Sequence, residues 1–132
     1  MDYLRPDNQL NPNEVSVQGL AHIGDAVYEL MVRTWLCASG TTTAKNLHKK
    51  AITYVSAKAQ AAAAERILKT LSEEETAVYK RGRNMHSGSI PKCSTHDEYH
   101  AATALEALFG FLYIKGNTER LNELFITAVE EN

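Results

Sequence analysis

Thr103–Gly116 reads TALEALFGFLYIKG, and one residue in it is out of character. Between Thr103 and Ile114, Glu106 is the only ionisable side chain apart from the phenol of Tyr113. Ala102, Phe109 and Tyr113 share its helical face at i−4, i+3 and i+7. A helix this apolar all round belongs inside a bundle of other helices. A lone carboxylate there costs several kcal/mol or keeps its proton unless a cation holds it. Two readings follow. Arg33 or Arg66 reaches Glu106 from another helix as a buried ion pair, or Glu106 is a metal ligand or general acid/base. Gly110, four residues on, permits close helix–helix approach at the same level.

A second helix carries a second acid. On a wheel of about 100° per residue, Leu20, Ile23, Val27, Leu30, Met31 and Trp35 cover one broad side of residues 20–36. Ala21, Tyr28 and Val32 extend that surface, so this helix too is expected to be largely surrounded by others. His22, Asp25, Glu29 and Arg33 form a narrow polar stripe, with Asp25 at its edge. The plain reading is a solvated stripe with a Glu29–Arg33 pair at i,i+4. Gly24 points further, because glycine inside a helix costs about 0.5–1 kcal/mol against alanine and implies a close neighbour. Two carboxylates on two core helices, each near a glycine, suggest an oxygen-ligand site for Mg²⁺ or Mn²⁺ suited to phosphodiester hydrolysis.

Outward from these segments the chain reads as all-α. Residues 1–14 hold Pro6 and Pro12 and form an N-terminal arm. A first helix is expected over Val17–Cys37, stopped by Ser39-Gly40. Thr41–Thr43 cap a short helix through Leu47, and an Ala-rich helix spans Ala51–Leu71. Ser72 and Glu75 make a capping box for a helix to Arg83. Asn84–Thr95 is a loop, His96–Lys115 the carboxylate helix, and Thr118 caps a last amphipathic helix. No alternating strand pattern or repeat appears, so residues 1–132 are expected to form one domain.

The net charge of −2 conceals a segregated distribution. Lys80–Lys92 reads KRGRNMHSGSIPK, with four cations and no acid, a local footprint of the kind that grips phosphates. Lys80, Arg81, Arg83, Asn84, His86 and Ser87 are candidate phosphate contacts for a nucleic acid, with Lys49, Lys50 and Lys58 extending the path; an ordinary basic helix end explains them equally well. Tyr54, Ser56, Lys58 and Gln60 read as the polar face of the Ala-rich helix. Cys37 and Cys93 fit no metal spacing, and no apolar run approaches a membrane span, so a reduced cytoplasmic setting is expected. Glu-x-x-His, the mark of di-metal helical oxidases, does not occur.

LAHIGDAVYEL (Leu20–Leu30) resembles the ribonuclease III signature L-E-F-L-G-D-A-V-x-x-L, and TALEALFGFLYIKG its second acidic block, D-x-x-E-A-x-x-G-x-x-Y. LHKKAITYVSAKAQA (Leu47–Ala61) and YKRGRNMHSG (Tyr79–Gly88) are similar to the compact bacterial branch, Mini-III ribonuclease. The chain ends where that fold's catalytic domain ends, with no double-stranded-RNA-binding domain expected. The resemblance implies a homodimeric helical endoribonuclease that cuts both strands of duplex RNA with Mg²⁺. It implies staggered 5′-phosphate ends and a role in maturing large-subunit (23S) ribosomal RNA precursor, with a ribosomal protein as a further partner. It gives Asp25 and Glu106 as the catalytic, metal-binding carboxylates. Ala21 and Thr103 stand where the general pattern has acids, which leaves room for a non-catalytic RNA-binding module on the same scaffold. Asp97 or Glu98 supplies a missing carboxylate, or both simply complement the helix dipole. His22 and His100 either orient water or phosphate or are structural.

Overall fold

The computed structural model describes residues 1–85 and 95–130, and six α-helices carry the fold with no strand among the described residues. They are α1 (Val17–Ala38), α2 (Ala44–Val55), α3 (Ala57–Ile67), α4 (Glu73–Arg83), α5 (His96–Lys115) and α6 (Thr118–Val129). Helix α5 is the axle, packed by α1, α3, α4 and α6. From Ala102 to Ile114 it is buried all round except at Glu106 and Tyr113, which are half-buried. Tyr28 of α1 meets Phe109 of α5 and Phe125 of α6 edge-to-face, at 5.1 and 5.7 Å between ring centres. Such pairs add about 0.5–1.5 kcal/mol each beyond their burial.

The caps lie where polar residues interrupt the apolar pattern. Ser72 and Glu75 close a reciprocal capping box on α4, and Thr95 and Glu98 close another on α5. Gly116 ends α5 in the left-handed conformation at φ 79°. The cap of α6 is Asn117, one residue before Thr118.

The expected Ala51–Leu71 helix is two helices. Ser56 breaks it, as C-cap of α2 and N-cap of α3, with its hydroxyl accepting from the Ala59 N–H. A serine side chain that satisfies a free backbone donor competes with helix continuation. The short helix from Thr43 accordingly runs on to Val55. The arm is not loose: it contains two 3-10 turns, Pro6 is buried, and the Tyr113 hydroxyl donates to the Tyr3 carbonyl at 2.7 Å.

Helix α1 is less enclosed than its composition implies. Leu20, Ala21, Gly24, Tyr28, Val32 and Leu36 form its buried face, whereas Leu30 is 62 % exposed. Among the described residues no helix is long and apolar enough to cross a membrane.

Candidate active site

Glycine sets the geometry. A Cβ at Gly24 would land on the carbonyl oxygen of Glu106 and lie 2.8 Å from the Gly110 nitrogen. A Cβ at Gly110 would land on the Leu20 carbonyl oxygen and lie 3.0 Å from the Gly24 nitrogen. Helices α1 and α5 thus cross backbone against backbone, each glycine seated on a turn of the other helix. That crossing sets Asp25 beside Glu106, close enough for one carboxyl to act on the other.

The contact is electrostatically unfavourable to full ionisation. Burial first, then the hydrogen bond to Asp25 and its charge, push Glu106 up to about 9, while a hydrogen bond from Gln60 opposes them. Two carboxylates this close share a proton unless a cation neutralises them. Neither candidate arginine does so. Arg33 pairs with Glu29 at 3.0 Å, as the i,i+4 reading expected, and Arg66 donates to the Ala128 carbonyl at 2.6 Å. The buried ion pair of this fold lies instead between α4 and α6, where Arg120 holds Glu75 at 2.8 Å and keeps its carboxyl below the usual range. The two acids therefore have opposite environments: Glu75 is structural, and Glu106 awaits a positive charge.

Two adjacent carboxylates, one of them held protonated chiefly by burial, fit a hard divalent ion, which keeps waters and needs few protein ligands. Among the described residues no third His, Cys, Asp or Glu joins the two to complete a cluster. Asp97 is not brought to them. It lies nine residues before Glu106 on α5, about 13 Å along the axis and on the opposite side, lining a hollow with Arg83, Asn84 and His100. Glu98 is engaged in the α5 capping box. Ala21 is buried, and the Thr103 hydroxyl donates to the Tyr99 carbonyl at 3.0 Å, so neither family position supplies a ligand. His22 is exposed and lines an apolar hollow beneath the N-terminal arm.

The third polar group is Gln60, which the sequence reading left on a solvated face. It is 2 % exposed. The Ser56 break redirects α3 so that Gln60 joins Ala63, Ala64 and Ile67 on its buried side. Its place in the row 60, 63, 64, 67 is a helix-face spacing that the sequence already offered.

The basic residues divide. Gly82 lets the last turn of α4 pack against Thr103, Ala104 and Ala107 of α5, where a Cβ would lie 2.8 Å from that of Ala107. Lys80, Arg81, Arg83 and Asn84 are exposed there, and Arg83 and Asn84 line the hollow that also holds Asp97 and His100. Lys49, Lys50 and Lys58 are exposed on α2 and α3, and Lys50 donates to the Thr41 hydroxyl at 3.2 Å. His86 and Ser87 lie outside the described residues.

Two acids delivered by a glycine-paired crossing match a known class. The ribonuclease III domain profile covers residues 18–117, and the chain belongs to that family of endoribonucleases. A solved Fusobacterium nucleatum protein shares its fold with a TM-score of 0.78 and 32% identity, over 85% of this chain and 89% of that one. The chain is 47% identical to the Mini-ribonuclease 3 of Thermoanaerobacter sp. (strain X514), over 85% of this chain and 81% of the relative. It is 41% identical to that of Symbiobacterium thermophilum, over 91% and 92% respectively. Within the family, then, its kin are the Mini-ribonuclease 3 proteins.

Proposed function

We propose that this endoribonuclease cuts double-stranded RNA with a divalent metal, Mg²⁺ or Mn²⁺, held by Asp25 and Glu106. The observation that carries the reading is the contact between those two carboxylates, one from each signature block, with no cation of the described chain to neutralise them. When bound, the metal supplies an activated water and charge stabilisation at the scissile phosphate, for products ending in 5′-phosphates. The chain's own part is to orient both carboxylates, release the shared proton from Glu106, and hold duplex phosphates on Lys80, Arg81 and Arg83. A-form RNA offers mainly phosphates and 2′-hydroxyls to such a surface. The Mini-III resemblance supports large-subunit ribosomal RNA precursor as the substrate, in the cytoplasm, with a ribosomal protein as a partner in that setting.

Purified protein incubated with a long RNA duplex should cut it in Mg²⁺ and not in EDTA. Asp25→Asn should lower the rate at least about 100-fold, the scale for losing one charge-stabilising group. Arg81→Ala and Arg83→Ala should each weaken duplex binding and reduce the salt slope by about one. Tight duplex binding with no cutting in Mg²⁺ or Mn²⁺ would instead make this a non-catalytic RNA-binding module.

The uncovered flank of α1 supports a homodimer. Leu30 is 62 % exposed and borders two apolar hollows, one towards Phe125 and Ile126, the other towards Tyr3 and Leu4. A continuous apolar surface of this kind marks an interaction site, and two-fold pairing through one self-complementary patch is the commonest solution. Light scattering should give about twice the 14.6 kDa chain mass, and Leu30→Glu should return the single-chain value. A parent protein already monomeric at micromolar concentration removes the dimer from the proposal.

A further inference from the structure

We propose that the hollow between α1, α2, α3 and α6 is a phosphate-binding pocket, separate from the two carboxylates, with Tyr28, Ser56, Lys58 and Arg66 as its donors. It measures about 290 Å³, at the small end for ligand pockets. That size suits a single phosphate group with its waters. Ala59, Ala62 and Ala63 of α3 give it one smooth wall, and the end of α6 gives it another. Among the described residues no acid lines it.

Tyr28 is the residue that makes the hollow a site. It is 1 % exposed and packs on Phe109 and Phe125, contacts that a phenylalanine would make equally well. Its hydroxyl is what needs an explanation. A buried phenol ordinarily finds a hydrogen-bond partner, and a buried donor left without one costs about 1–3 kcal/mol. Among the described residues none bonds to this hydroxyl, and Tyr28 lines the hollow. Nor is the atom sealed in, because among the described residues only His100 has a closed-off side-chain atom without a partner. The hydroxyl therefore opens on the hollow. Burial pushes the phenol up to about 12 against the opposing charge of Arg66, so it keeps its proton to donate.

The charges around the hollow agree with the phenol. Arg66 donates through Nη1 to the Ala128 carbonyl at 2.6 Å, which fixes the guanidinium at the rim with further N–H donors to offer. That bond also covers a carbonyl at the negative end of α6. Lys58 stands in the first turn of α3, where the helix dipole is positive. Neither cation enters an ion pair among the described residues. The Ser56 hydroxyl accepts from the Ala59 N–H at 3.2 Å and keeps its own proton to donate. Two cations, a phenol and a hydroxyl around one small space match the oxygens of a phosphate, which accept charge-assisted hydrogen bonds. Tyr28 follows Asp25 by three residues, about 4.5 Å along α1. The phosphate is thus either one in the backbone of a duplex lying across the carboxylates or a free one held nearby.

Inorganic phosphate should be titrated calorimetrically, in EDTA at fixed ionic strength, into the parent, Tyr28→Phe, Arg66→Met and Lys58→Met. Lys69→Met, which removes an exposed charge away from the hollow, is the control. The parent and the control should bind phosphate saturably at millimolar concentration. Tyr28→Phe and Arg66→Met should each weaken binding about tenfold or more, the scale for a hydrogen bond to a charged group, and Lys58→Met several-fold. Duplex affinity in EDTA then separates the two sources, and either result supports the pocket. Duplex binding weakened by saturating phosphate and by the same variants assigns a backbone phosphate, and unmoved duplex binding assigns a free one. A parent without saturable phosphate binding overturns the inference, as does binding that all three variants leave within twofold. Should Tyr28→Phe or Arg66→Met lose its fold, Lys58→Met decides alone, because Lys58 is exposed. None of these measurements involves metal or cleavage, so their failure leaves the nuclease reading standing.

Discussion

Gly24→Ala is expected to abolish the native fold, with a loss above about 4 kcal/mol, the range reserved for gross steric failure. The added methyl would coincide with the Glu106 carbonyl oxygen and lie 2.5 Å from its carbon. These are backbone atoms inside a buried helix, and no rotamer change relieves the overlap. Relief requires α1 and α5 to separate, which uncovers Leu20, Tyr28, Leu105 and Phe109, each at most 1 % exposed. Typical domain stability of about 5–15 kcal/mol leaves little after such a loss. Gly40→Ala is the control. Gly40 has a φ of 94° but nothing within 4 Å of its would-be Cβ, so its cost should stay near 1 kcal/mol. Circular dichroism melts of the two variants distinguish steric failure from backbone strain. A Gly24→Ala protein melting within a few degrees of the parent would mean that the helices do not cross as described.

The same glycines show how much of the site was legible beforehand. Gly24 and Gly110 signalled close approach because a glycine inside a helix has a cost that only a neighbour explains. Glu106 was legible for a similar reason, as a charge in a setting that disfavours charge. Two helix starts followed from polar caps, at Thr43 and Ser72, and a third was off by one residue, Asn117 in place of Thr118. Ser56 was not legible: within a strong helix-forming stretch, a serine is ordinary unless tertiary packing rewards a break there. Gln60 was hidden by that error, since its face depends on where α3 begins. Neither could periodicity tell that Leu30 stays exposed, because an apolar helix face looks alike whether its cover comes from the same chain or a second copy. Asp97 misled for the opposite reason. Proximity in sequence suggested proximity in space, but nine residues along a helix lead to its far side.

Glu106→Gln should give a protein that cuts at least about 100-fold more slowly and yet is more stable than the parent without metal. In the folded chain Glu106 is pushed up to about 9 from an ordinary 4.5, chiefly by burial and then by Asp25. Between those values the native state keeps a proton that the unfolded chain releases, so stability falls as pH rises. The contribution is complete below about pH 4.5 and gone above about pH 9. In EDTA, the parent should therefore melt at a lower temperature at pH 8 than at pH 5. Glu75, lowered by Arg120, works in the reverse sense, but its effect belongs below about pH 4.5 and leaves this window clear. Glutamine imitates the protonated acid: it is neutral, and its N–H can donate to Asp25. Glu106→Gln should flatten the melting profile between pH 5 and 8 and stabilise the metal-free protein at pH 8 by about 0.5–2 kcal/mol, a common gain when a site is freed of a strained functional group. Saturating Mg²⁺ should raise the parent's melting temperature at pH 8 and leave the variant nearly unmoved, because ligand that binds only the native state stabilises it by mass action. A parent melt that is flat from pH 5 to 8, or a variant less stable than the parent in EDTA at pH 8, would show that Glu106 is held ionised by some group other than a metal. The carboxylate would then be structural, as Glu75 is.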